Sequence, residues 1–260
     1  MAFRNLLVTN RGAVRRIEIN RPDKLNALNR ETINELHIAF DQARVDDAAR
    51  VVVVAGSGEK AFIAGADIAE LANLTPQQAQ TFSRAGQALM LKIERLGKPV
   101  IARIQGFALG GGMELAMSCH LRIASEKAKL GQPEINLGVI PGFGGTQRLL
   151  RLAGRSAALE LCLTGTQIDA ARALQIGVVT RVVAADQLDL EIDALADQLA
   201  ASAPHALAGV LDAVLIGGEC AIDAGLDYET QAFALCCATA DMREGTRAFL
   251  ERRKPAFSGA

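Results

Sequence analysis

Two glutamates stand where an acid has few ordinary partners. Glu114 follows three consecutive glycines in "GFALGGGMELAM", and Glu134 follows Pro133 in "LGQPEINLGVIPGFGGTQRL". Each has a structural explanation by itself. An acid in the first turn of a helix is favoured by the macrodipole, and a glutamate after proline can cap a local turn. Together they fit a different task. Low-polarity surroundings raise carboxyl pKa values and neighbouring carboxyls split theirs, so one protonated and one ionised group can coexist near neutral pH. Water addition needs that pairing: one group takes a proton from water and the other delivers a proton to carbon.

The glycines supply the second half of such a site. N–H groups at a glycine-rich helix start can point at one oxygen with no side chain in the way. The segment "FIAGAD" (62–67) offers a second donor from elsewhere in the chain. Two N–H groups converging on a carbonyl oxygen form an oxyanion hole, and losing one such donor costs about 3 kcal/mol of barrier. The constellation therefore suits stabilisation of an enolate. A phosphate cradle fits less well, because "GFALGGGMEL" lacks the Lys-Ser/Thr ending of a P-loop. The glycines also follow a third or fourth strand rather than the first, against a dinucleotide fingerprint.

The elements that must position these groups follow from periodicity. "LLVTNRGAVRRIEIN" predicts a hairpin turning at Arg11-Gly12. Asn29 is an expected N-cap for a helix with Ile33, Leu36, Phe40 and Ala43 on one face. "RVVVVAG" and "KPVIARIQG" are buried strands. "SGEKAFIAGADIAEL" starts as a Gly/Ala loop and turns helical after Asp67, and Pro76 to Leu96 is helical. A helix from Gly111 to Ser118 precedes a strand at "HLRIAS". After Gly142 helices dominate, with one strand at "VVTRVV". From Asp186 the chain is Ala/Leu-rich and helical, broken at Pro204, Gly217-Gly218 and Asp241. An α/β core (1–195) with a helical extension (196–260) is expected. Apolar residues on more than one face of that extension point to oligomerisation.

Composition narrows the classes. A formal net charge of -1 gives no global attraction to nucleic acid or membrane, and the absence of Trp with one Tyr leaves little stacking surface for single strands. No apolar run approaches a bilayer span. "MAFRNLLVTNRGAVRR" lacks the apolar core of a signal peptide, so a cytoplasmic location is expected. Cys119, Cys162, Cys220, Cys236 and Cys237 form no metal-ligand spacing and suit reduced thiols; His37, His120 and His205 are too scattered for a metal site. The adjacent Cys119-His120 pair suggests a nucleophile. Neighbours on a strand point to opposite faces, however, so Cys119 is expected in the core and His120 at strand entry.

Five segments in order, "RPDKLNALN", "KAFIAGADIAEL", "KPVIARIQGFALGGGMELAM", "LRIASEKAKLGQPEINLGVIPGFGGTQRLLRLAG" and "EGTRAFLERRKPAF", resemble the crotonase (enoyl-CoA hydratase/isomerase) family. The resemblance covers nearly the whole chain. It implies an α/β spiral of repeated ββα units with a C-terminal helical region that builds homotrimers or homohexamers. It implies a coenzyme A thioester substrate and no separate cofactor. Ala66 and Gly111 are the implied oxyanion-hole donors, and Glu114 and Glu134 the catalytic pair. Coenzyme A is expected along Lys24, Leu25 and Ala27, then Ala66, Asp67, Ile68 and Ala69, with Phe249 and Arg252 reaching a neighbouring subunit's coenzyme. His120 departs from the pattern, standing where many relatives carry an acid. Both acids together favour hydration of a 2-enoyl-CoA to the 3-hydroxyacyl-CoA. The rivals are a Δ3-Δ2-enoyl-CoA isomerase and a non-catalytic binding protein on the same fold, for instance an RNA-binding one.

Overall fold

A computed structural model of the chain describes residues 3–260; Met1 and Ala2, the start of the segment expected to lack an export signal, lie outside the described residues. The chain opens with β1 (Leu6–Arg11) and β2 (Val14–Ile19), the expected hairpin, followed by α1 (Arg30–Val45). Three rounds of strand, strand, helix come next. The first is β3 (Val51–Gly56) and β4 (Ala61–Ala64), then the short α2 (Ile68–Leu71) and the long α3 (Pro76–Glu94). The second is β5 (Val100–Ile104), β6 (Phe107–Leu109) and α4 (Gly111–Ser118). The third is β7 (Leu121–Ser125), β8 (Lys129–Gly131), a 3-10 turn (Pro133–Leu137) and α5 (Gly145–Thr164). The chain ends with β9 (Ile168–Asp169), α6 (Ala170–Gln175), β10 (Arg181–Val183), α7 (Leu188–Ala200), α8 (Pro204–Leu215), α9 (Ile222–Cys237) and α10 (Ala240–Leu250).

Within each round the two strands go to different sheets. One sheet runs β1-β2-β3-β5-β7-β10 and the other β4-β6-β8-β9, so each round adds one parallel strand to both. This is the ββα spiral. It also corrects the reading of "SGEKAFIAGADIAEL" as a loop: Ala61–Ala64 is a strand paired with β6. The second sheet consists of strands of two to four residues, too short for a period-2 pattern to develop.

Alternation along the larger sheet's central strands divides the core. Val52, Val54, Val100 and Ala102 face α1 and α3 with Leu36, Phe40, Leu89 and Ile93. Val51, Val53, Ile101 and Ile123 face Leu188, Ile192, Leu195 and Ala196 of α7. Both faces of β3 are covered, which explains its unbroken apolar run. Each fully buried Leu or Ile contributes about 1.5–3 kcal/mol. The expected division at residue 195 falls inside α7, which continues to Ala200 on the sheet. Asn29 caps α1 as expected, accepting from Thr32 N–H at 2.8 Å. Among the described residues no single helix is long and apolar enough to cross a membrane.

Candidate active site

The ends of the spiral's elements converge on a cavity of about 910 Å³. Its lining includes Ala66, Gly111, Glu114 and Glu134, so four residues chosen from sequence meet in one place. Ala66 follows β4 and Gly111 opens α4. Neither N–H donates a hydrogen bond among the described residues. The two lie close: a Cβ on Gly111 would be 3.6 Å from the Ala66 nitrogen. Gly110, the residue before α4, has φ +50° and a Cβ there would sit 2.6 Å from Glu134 Oε1. Only glycine combines that left-handed turn with that approach.

Glu114 is 1 % exposed and projects from the first turn of α4. Its Oε1 accepts from Phe143 N–H at 2.7 Å and from Gly145 N–H at 2.6 Å, the latter opening α5. Burial pushes its pKa up to about 7, with the Glu134 charge adding to the rise and the two N–H donors opposing it. Glu134, half-buried in the 3-10 turn, is likewise pushed up to about 7 by burial. With the buried Gln132 amide oriented to satisfy both of its ends, its nitrogen donates to both Glu134 oxygens at 3.1 Å. Two carboxyls thus share a cavity and ionise near neutrality, where one can hold a proton while the other does not.

The expected coenzyme residues divide. Ile68 lines the cavity, whereas Lys24, Leu25, Ala27, Asp67 and Ala69 do not. Lys24, Leu25 and Ala27 nevertheless lie on the turn beside Ala66. Ala64 N–H donates to Leu25 O at 3.0 Å, and Leu28 N–H donates to Gly65 O at 2.9 Å. The Asp67 carboxylate is committed elsewhere, to Arg21 at 2.9 Å and to Ala69 N–H, and the Arg21 contact holds its pKa down. Phe249 and Arg252 lie at the exposed C-terminal end of α10, away from the cavity lining.

Several supporting residues escaped the sequence reading. Asn26 is buried, has φ +59°, accepts from Arg21 N–H and donates to Ser57 O and Ala61 O. It fixes the turn whose preceding residue, Leu25, also adopts the left-handed conformation, a strain of about 1–2 kcal/mol. The Phe143 and Gly145 donors sit in "PGFGG", whose glycines before a helix are themselves the signal of an anion-binding N-terminus. Arg148 holds that turn by donating to Phe143 O at 2.9 Å, and is itself bidentate on Glu94 at 2.6 and 3.0 Å.

Cys119 and His120 form no dyad. They precede β7 rather than alternate along it, which corrects the strand argument but leaves its outcome unchanged. His120 Nδ1 accepts from Val100 N–H, so Nε2 carries the proton and donates to Glu94 O. Cys119 is buried, donates to Leu115 O, and its thiol is pushed up to about 12 by burial, far from a reactive thiolate.

Comparison with known proteins identifies the family. The family model for enoyl-CoA hydratase/isomerase matches residues 9–260. The chain is 42% identical to the short-chain-enoyl-CoA hydratase of Clostridium acetobutylicum, over 98% of this chain and 97% of the relative. It is 43% identical to the crotonyl-CoA hydratase of Syntrophomonas wolfei, over 99% of each chain. Among solved structures, the enoyl-CoA hydratase from Bacillus anthracis superposes with a TM-score of 0.96 at 38% identity, covering 99% of this chain and 100% of that one. A match of this extent settles the kinship: the chain belongs to the enoyl-CoA hydratase/isomerase (crotonase) family.

Proposed function

We propose that the protein is an enoyl-CoA hydratase that adds water across the 2,3 double bond of a 2-enoyl-CoA, giving the 3-hydroxyacyl-CoA. One observation carries this reading: Glu114 and Glu134 face the same cavity, and both are pushed up to about 7. The hydratase names of the relatives support it. Coenzyme A enters as part of the substrate, and the reaction asks for no separate cofactor.

In this mechanism the thioester oxygen accepts from the N–H groups of Ala66 and Gly111, which stabilise the enolate as charge moves onto oxygen. A water lies between the two carboxyls. Ionised Glu114 takes a proton from it as its oxygen bonds to C3, and protonated Glu134 gives its proton to C2. Transfer of the gained proton from Glu114 to Glu134 restores the starting state. The N–H donors on Oε1 suit Glu114 to the ionised role, leaving Oε2 for the water.

Coenzyme A is assigned to Lys24, Leu25 and Ala27 and to the run Ala66, Asp67, Ile68 and Ala69, with Phe249 and Arg252 supplied by a neighbouring copy. Exposed apolar side chains on the terminal helices favour homotrimers or homohexamers: Val214 is 67%, Phe233 71% and Phe249 83% exposed. The reading also places the enzyme in the cytoplasm, where its free cysteines stay reduced. The test is hydration of 2-enoyl-CoA thioesters from C4 to C16, followed by loss of the conjugated-thioester absorbance. Turnover on part of the series is expected; none on any member overturns the assignment.

A further inference from the structure

We infer that Gly86 is a positioning residue for Glu114, acting through the ring of Phe143; this rests on the hydratase reading above. Gly86 lies inside α3, where glycine is a poor helix former and needs a packing reason. The reason is the Phe143 ring. A Cβ on Gly86 would fall 2.0 Å from Phe143 Cδ1, 2.4 Å from Cε1 and 2.5 Å from Cγ. Non-bonded carbons settle at about 3.5–4.0 Å, so the ring must move by more than an ångström to admit one methyl group.

The ring has little freedom to do so. On another side it meets Gly111, whose own Cβ position is 3.3 Å from Phe143 Cδ2 and Cε2. Phe82 holds it edge to face with centroids 5.2 Å apart. The neighbouring main chain is tied down by Ser83 Oγ, which donates to Gly142 O at 2.5 Å, and by Arg148 on Phe143 O. One aromatic ring is therefore wedged between a glycine of α3 and the glycine that opens α4. The Phe143 N–H and the Gly145 N–H two residues on both hold Glu114 Oε1. Displacing the ring displaces either that cradle or Gly111, and either change moves a group set against the reacting atoms. A misplacement of about 1 Å can cost about 100-fold in rate.

The experiment is a cycle of Gly86→Ala, Phe143→Ala and the double variant, read two ways. Hydration of 2-butenoyl-CoA gives kcat and KM. Selective 15N-glycine labelling, with the resonance assigned through Gly145→Ala, follows the Gly145 amide proton without substrate. Gly86→Ala is expected to lower kcat by about 10- to 100-fold at nearly constant KM and to shift the Gly145 resonance. In the Phe143→Ala background the same Gly86→Ala change is expected to alter neither quantity, because no ring is left to push. Wild-type kcat and an unmoved resonance in Gly86→Ala overturn the inference. So does an equal loss from Gly86→Ala in both backgrounds. If Gly86→Ala alone does not fold, comparison of Phe143→Ala with the double variant decides: equal values support the wedge and a further loss refutes it. A wild-type enzyme inactive on every enoyl-CoA, with the Gly145 shift present and then abolished as described, overturns the hydratase reading and upholds the positioning of Glu114.

Discussion

Glu114→Gln should abolish most activity while making the protein more stable at alkaline pH. The amide keeps the shape, and its oxygen can still accept from Phe143 and Gly145 N–H. It cannot take a proton from water, so kcat is expected to fall by about 10²–10⁴-fold with a small change in KM. The stability side follows from linkage. Below pH 4.5 the carboxyl is protonated both folded and unfolded, and contributes no difference. From 4.5 to about 7 the unfolded chain releases the proton while the buried site retains it, so wild-type stability declines as pH rises. Above 7 the penalty is complete, about 3 kcal/mol at about 1.4 kcal/mol per tenfold change in proton affinity. The glutamine escapes it. Urea unfolding at pH 4 and 8.5 should therefore show the variant gaining about 3 kcal/mol on wild type between the two. A difference that stays constant with pH would mean that burial does not raise the Glu114 pKa above its unfolded value. Near-wild-type kcat would remove it from the chemistry.

Three further outcomes are expected. Hydration should peak near pH 7, falling below it as both carboxyls protonate and above it as both ionise; a flat kcat from pH 5 to 9 would contradict the pairing. Lys24→Gln and Arg252→Gln should each raise KM and weaken its dependence on salt with kcat nearly intact, whereas a kcat loss at constant KM would place them elsewhere. Light scattering should report trimers or hexamers, and an active monomer would remove the basis for assigning Phe249 and Arg252 to a neighbouring coenzyme.

The helices were legible because their signals are local. Asn29 and the Ile33, Leu36, Phe40, Ala43 face of α1 lie within sixteen residues, and the glycine run announced α4. The second sheet was not legible, because each strand is defined by a partner distant in sequence rather than by its own pattern. The site divides along the same line. Glu114 and Glu134 stood out as acids set among glycine and apolar residues. The groups that tune Glu114 are 29 and 31 residues away and act through main-chain N–H, to which side-chain identity gives no guide. Gln132 sits two residues from Glu134, but its contact depends on the turn the intervening proline makes. Gly86, a glycine inside a helix, signals only that something packs close, and the Phe143 ring that does so is 57 residues away.

Hydration at this site adds one water across a carbon–carbon double bond. The most direct measurement is mass analysis of product formed from a 2-enoyl-CoA in water enriched in 18O and deuterium. Hydration by the two carboxyls predicts one 18O at C3 and one deuterium at C2, with both lost together in Glu134→Gln. Deuterium on the acyl chain with the double bond moved and no 18O retained would identify an isomerase and contradict hydration by the two carboxyls.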